Sequence, residues 1–185
     1  KITDTNRIDK IIPTINFLLS KKAKIIIISH VGRPKGKFKS ELSLQPIRDN
    51  LSSQVNENVK LEKANIFNLK KDELFKSADE KLIILENIRF YPEEENNNEK
   101  FSEHLSKLGD IYVNDAFSCS HREHASVTSI TKFIPSYSGL QINSEVEALK
   151  KITTEIKKPI TCIIGGSKIS TKIDIIRNLI PKFDN

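Results

Sequence analysis

The chain has no methionine, only two cysteines, few aromatics and no long apolar run, and each shortage removes a class of protein. Nothing approaches the ~20 consecutive apolar residues that a membrane-spanning helix requires, so no membrane partner is expected. Cys119 and Cys162 are too few and too far apart for a disulfide framework. The first residues are polar and charged, unlike an export signal, and reduced thiols in a cytoplasmic protein are the expectation. Aromatics are 6% of the residues, basic residues are interleaved with acids, and no RNP-like or zinc-finger spacing occurs. Nucleic acid is therefore not the expected partner. The net charge of +6 still suits an anionic ligand. Without methionine and with Lys1 first, the chain reads as a fragment, and Ile173 to Asn185 as a helix cut off soon after it forms.

What is present is an alternation. Apolar runs at Ile25–Ile28, Val59–Glu62, Lys81–Leu85 and Asp110–Asn114 read as strands, separated by segments of helical spacing. Ile8, Ile11, Ile12, Ile15, Leu18 and Leu19 predict a first helix with Pro13 in its early turns. Further helices are expected over Leu44–Val55 and around Phe101, Leu105 and Leu108, the latter ended by Gly109. Residues 93–100, rich in Asn, Glu and Lys, read as a solvated loop and helix start. Strands alternating with helices imply βαβ units and a parallel sheet. A longer helix through Val146, Leu149, Ile152 and Ile156 stops before Pro159, and a second strand-loop-helix unit, Ile160 to Ile180, follows. The expected division is an α/β domain over 1–143, a connecting helix over 144–158 and the start of a second domain over 159–185.

Two loops carry most of the chemistry. Ser29-His30-Val31-Gly32-Arg33-Pro34 follows the Ile25–Ile28 run, and Gly165-Gly166-Ser167-Lys168 to Lys172 follows Ile160–Ile164. Both look like anion grips at strand ends, where open α/β sheets bind their ligands. Arg7, Arg89 and the segment His121-Arg122-Glu123-His124 add basic groups that a parallel sheet brings to one side. Clustered guanidiniums repel one another, and an anion relieves that. Ordinary surface arginines are the plainer alternative. His121 and His124 lack partners at zinc-ligand spacing, so no metal site is expected. Asp115 is either an acid–base group or a cap for the next turn, and the cap is preferred. The Gly165–Lys172 loop matches neither the Walker pattern nor the dinucleotide GxGxxG. Its glycines still let backbone N–H groups approach oxygens, and Lys168 and Lys172 share a helical face. A flexible turn with solvated lysines is the alternative there.

Five stretches in order resemble the phosphoglycerate kinase family: Ile2-Thr3-Asp4-Thr5-Asn6-Arg7-Ile8, Ser29 to Gly36, Leu85-Glu86-Asn87-Ile88-Arg89-Phe90-Tyr91-Pro92-Glu93-Glu94, Asn114-Asp115-Ala116-Phe117 to Ser126, and Gly165 to Lys172. The resemblance covers essentially the whole chain. It implies the amino-terminal part of a two-domain, hinge-bending kinase with Rossmann-like parallel sheets flanked by helices, here truncated. It implies acid-substrate contacts from Arg7, His30, Arg33, Arg89 and Arg122, and nucleotide contacts from Gly166, Lys168 and Lys172. The implied reaction, in glycolysis, moves a phosphoryl group between 1,3-bisphosphoglycerate and Mg-ADP, giving 3-phosphoglycerate and ATP. Arg7 and Lys172 are the implied catalytic pair, stabilising charge on the transferring group, and Mg²⁺ enters with the nucleotide. The family's strand before Ile2, bearing an Asp and an Asn, is missing; Thr171 stands where the family has Asp, and Ser167 where Ala is common. The piece alone is expected to be inactive, and the complete protein an active monomer.

Overall fold

A fully apolar strand organises the chain. The computed structural model describes residues 4–164 and 173–184, which fall into two units, 1–142 and 143–185. In the first unit α1 (Asn6–Asp9) and α2 (Ile12–Ser20) lead to β1 (Ile25–Ile27); α3 (Gln45–Val55), β2 (Val59–Glu62), α4 (Lys71–Leu74) and β3 (Leu82–Leu85) follow. Then come α5 (Pro92–Glu95), α6 (Glu99–Ser106), β4 (Tyr112–Asn114), β5 (Ser136–Ser138) and α7 (Leu140–Thr153), which crosses the unit boundary. β1, β3 and β2 form one parallel sheet in that order, with Ile83 opposite Ile26 and Lys60. β4 and β5 form a separate parallel pair.

The four residues of β3, Leu-Ile-Ile-Leu, are all buried, as a central parallel strand covered on both faces requires. Its side chains alternate between two cores. Leu82 and Ile84 pack with Ile15 of α2 and Leu51 and Val55 of α3. Ile83 and Leu85 pack with Phe101, Leu105 and Leu108. Full burial of such side chains is worth about 1.5–3 kcal/mol each. Pro13 sits in the first turn of α2, where its missing N–H costs nothing. Asn98 caps α6 by accepting the Phe101 N–H at 3.0 Å.

Several expectations are corrected. Helix α6 ends at Ser106, although Leu108 beyond it is buried. Residues 93–100 are not simply solvated: Pro92 opens the short helix α5, and Glu94 within it is buried. β5 is an unforeseen strand, because Ser-Tyr-Ser is exposed and carries no apolar pattern. Helix α7 starts at Leu140, ahead of Val146, and ends at Thr153 rather than Ile156. Ile160–Ile164 forms no strand: a parallel strand needs a ladder partner, none exists among the described residues, and Ile163 is 93% exposed. Helix α8 (Ile173–Leu179) stops before Pro181, which disfavours helical backbone in the residue ahead of it. Asp184 closes this unit on itself, accepting from Lys158 Nζ and the Ile160 N–H at 2.9 Å each.

Candidate anion-binding site

The site is built at the carboxyl ends of the strands of unit 1. After β3 the chain turns through Asn87, which is fully buried and fully bonded. Its side-chain amide donates to Val31 O at 2.8 Å and Leu42 O at 2.9 Å, and its Oδ1 accepts the Arg89 N–H at 3.1 Å. One side chain thus holds the loop after β1 against the turn after β3. Ile88 N–H donates to Ser29 O at 3.1 Å, a second tie between the same loops. Gly32 is required there: its φ is +67°, and a Cβ would lie 2.7 Å from Leu42 Cδ2.

Arg89 is the unusual residue. It is 3% exposed, yet only Nη1 has a hydrogen-bond partner, Gly32 O at 3.3 Å. Nε lies 3.6 Å from Glu95 Oε1, beyond hydrogen-bond reach, and Nε and Nη2 are buried without a partner. Burial lowers its pKa, with Glu95 opposing the shift. Unpaired buried donors on a cation are costly unless a ligand accepts from them.

Positive charge surrounds that guanidinium. Burial, followed by Arg89, Arg122, His124 and Arg7, lowers the His30 pKa to about 4. His30 is therefore a neutral imidazole at pH 7, offering one donor and one acceptor. Burial also lowers the pKa of His124, which Glu94 and Glu95 oppose and Arg89 and Arg122 reinforce. Arg7 is exposed on α1, which is anchored by buried Ile8 and by Gln54 Nε2 donating to Asp9 Oδ1 at 2.8 Å. Arg122 is half-buried, with its N–H donating to Cys119 O at 3.0 Å.

Of the residues singled out in the sequence, the structure thus brings together Arg7, His30, Arg89, Arg122 and His124. Arg33 and His121 are exposed and are not among the charges acting on His30. Gly166, Lys168, Lys172, Ser167 and Thr171 lie outside the described residues. Among the described residues no three His, Cys, Asp or Glu side chains gather as a metal site. Asp115 is a cap, but of a different helix. Its Oδ1 accepts the N–H groups of Gln141 and Ile142 at 2.9 and 3.1 Å, and its Oδ2 accepts from Thr14 Oγ1 at 2.6 Å. The turn directly after β4 is capped instead by Asn114, whose Oδ1 accepts the Ala116 N–H at 3.0 Å. Asn87 and Glu94 were missed as supports for the site, although both lie in a motif that the sequence displays.

Comparison with known proteins identifies the family to which the chain is similar. The family model for phosphoglycerate kinase matches residues 1–185. The phosphoglycerate kinase of Finegoldia magna is 42% identical over 185 residues, 99% of this chain and 47% of the relative. That of Wolbachia pipientis wMel is 47% identical over 183 residues, 98% of this chain and 46% of the relative. Among solved structures, phosphoglycerate kinase from Coxiella burnetii superposes with a TM-score of 0.85 at 36% identity, covering 100% of this chain and 46% of that one. Phosphoglycerate kinase from Pyrococcus horikoshii OT3 gives 0.83 at 28% identity, covering 98% and 46%. The chain spans about half the length of the curated relatives it matches.

Proposed function

The chain belongs to the phosphoglycerate kinase family, and we propose that it supplies the acid-binding half of a carboxylate phosphotransferase. The reaction is reversible transfer of a phosphoryl group from the acyl phosphate of 1,3-bisphosphoglycerate to Mg-ADP, giving 3-phosphoglycerate and ATP. The single observation that carries this reading is buried Arg89, with two unpartnered nitrogens inside a ring of positive groups. A molecule with a carboxylate and a phosphate has oxygens enough to satisfy several such donors at once.

In this reading Arg7, His30, Arg33, Arg89 and Arg122 bind and orient the acid. Gly166, Lys168 and Lys172 hold the nucleotide phosphates, and Arg7 and Lys172 stabilise charge on the transferring group. Phosphoryl transfer asks mainly for position and charge, so no nucleophile from the chain is needed. Mg²⁺ supplies further charge neutralisation on the nucleotide phosphates. The described residues offer no ligand cluster for it. Residues 1–143 form the acid domain, 144–158 the connecting helix and 159–185 the start of the nucleotide domain. The protein works as a monomer in the cytoplasm, and residues 1–185 alone do not turn over substrate.

Calorimetry with 3-phosphoglycerate, set against a single-stranded oligonucleotide at physiological salt, tests the ligand class. Saturable oligonucleotide binding with no response to the phosphoacid would sink the reading. In the chain carried to the length of its relatives, Arg7→Ala lowers turnover by roughly 100-fold or more and substrate affinity much less, as loss of a transition-state contact requires. Unchanged turnover removes Arg7 from that role.

A further inference from the structure

Glu94 is an anomaly for a glutamate in a Glu-rich stretch: it is 3% exposed, and both of its carboxylate oxygens are used. Ser126 donates to it twice, N–H to Oε2 at 2.9 Å and Oγ to Oε1 at 2.7 Å. The backbone oxygen of Glu94 accepts the Ala125 N–H at 2.9 Å. The other polar groups of this dipeptide are also bonded: Ser102 Oγ donates to Ala125 O at 2.9 Å and Tyr112 OH to Ser126 O at 2.7 Å. Ala125-Ser126 is therefore clamped on every side, and it lies directly after Arg122 and His124. Glu94 itself lies within α5, which follows the short turn of Arg89. One residue spans the two loops that bring Arg89 and Arg122 to the site.

We propose that Glu94 is a positioning residue for the phosphoacid: its two hydrogen bonds to Ser126 set where Arg122 and His124 stand relative to Arg89. This rests on the reading of the site given above. The alternative role for a carboxylate here is charge. Glu94 Oε1 is 3.6 Å from His124 Nδ1, and its charge opposes the depression of the His124 pKa. The two roles differ in outcome. Removing a negative charge from an anion site leaves anion affinity equal or raises it, whereas releasing the loop lowers it.

Glu94→Gln and Glu94→Ala separate them. Glutamine keeps both contacts, accepting the Ser126 N–H through Oε1 and donating its amide to Ser126 Oγ, but carries no charge. In the chain carried to the length of its relatives, calorimetry with 3-phosphoglycerate is expected to give E94Q a Kd equal to or below that of the unmodified protein. E94A is expected to bind roughly 10- to 100-fold more weakly, the scale of a site displaced by about 1 Å. Simple loss of folded protein would lower the binding stoichiometry and leave Kd alone, so Kd is the deciding quantity. Should E94A not fold, Ser126→Ala removes one of the two bonds and is expected to weaken binding several-fold. A Kd unchanged in E94A, or in S126A where that is the variant measured, overturns the proposal.

The loop is also read without any ligand. The Arg122 side-chain N–H resonances are expected to shift in E94A and stay in place in E94Q, while the His124 titration moves lower in both. Arg122 resonances unmoved in E94A overturn the positioning role. Absence of 3-phosphoglycerate binding in every variant would fail the reading of the site, and the resonances would still decide Glu94.

Discussion

Residues 4–142 and 143–184 differ in what holds them. Every buried apolar side chain among the described residues belongs to the first unit. In the second, Val146, Leu149 and Ile152 on α7 and Ile163 beyond it are exposed. The internal ties there are surface contacts such as Lys158–Asp184 and Lys182 Nζ donating to Thr153 O at 3.0 Å, of a kind worth about 0–1 kcal/mol. The contrast shows what an anion site demands. Arg89 keeps two guanidinium nitrogens without a hydrogen-bond partner out of water, a cost only a strong core can absorb, and it follows the most buried strand among the described residues. The largest expected effect follows. Phe101→Ala, in the core beside β3, lowers unfolding free energy by about 3–5 kcal/mol, whereas Leu149→Ala changes it by less than ~0.5 kcal/mol. Urea unfolding of the two variants checks this, and equal losses would erase the distinction between the units.

How far each region was legible in the sequence follows the same division. β1, β2 and β3 were readable almost to the residue: β3 is an uninterrupted apolar run buried throughout, β1 is three isoleucines, and β2 alternates apolar and charged residues. The same signature at Ile160–Ile164 misled, since an apolar run reports a preference for burial and not the partner that would provide it. Arg7, His30, Arg89 and Arg122 were legible as candidates because their chemistry is visible one residue at a time. Asn87 and Glu94 were not, because a neutral amide and a glutamate among glutamates show their roles only through partners distant in the chain, Val31 and Leu42 for one and Ser126 for the other. Asp115 was half legible. Its capping character could be read, but its target, helix α7, lies across a long stretch of chain.

That cap gives the next largest effect. Gly139 precedes α7 and brings no capping oxygen, so Asp115 supplies one from outside. A Cβ at Gly139 would lie 2.3 Å from Asp115 Oδ1, so the approach is possible only without a side chain. Thr14 completes the arrangement by accepting the Leu140 N–H at 3.1 Å. Asp115→Ala is expected to cost about 1–2 kcal/mol in urea unfolding and to fray the first turn of α7, read as faster amide exchange at Gln141 and Ile142. Asn114→Ala, which uncaps only a short turn, costs less. If Asp115→Ala leaves amide exchange at Gln141 and Ile142 unchanged, Asp115 does not hold the start of α7.

The smallest effect returns to charge within the site. The His30 pKa lies at about 4 in the folded chain against an ordinary 6.5, because burial and then Arg89, Arg122, His124 and Arg7 disfavour the imidazolium. Between those values the unfolded chain binds a proton that the folded chain refuses, so stability rises with pH across this window. His30 therefore subtracts nothing above about pH 6.5 and progressively more as the pH falls towards 4. His124, whose pKa is also lowered, adds to the slope in the same sense. His30→Gln is expected to flatten the dependence of unfolding free energy on pH between 6.5 and 5 without abolishing it. A phosphoacid bound as proposed would place negative charge beside the imidazole and raise its pKa again. Binding measured at pH 5 in two buffers of different ionisation enthalpy should consequently show proton uptake that is absent at pH 8 and reduced in the His30→Gln variant. Equal uptake in that variant would mean that the ligand's charge is felt elsewhere in the site, and that His30 is not against it.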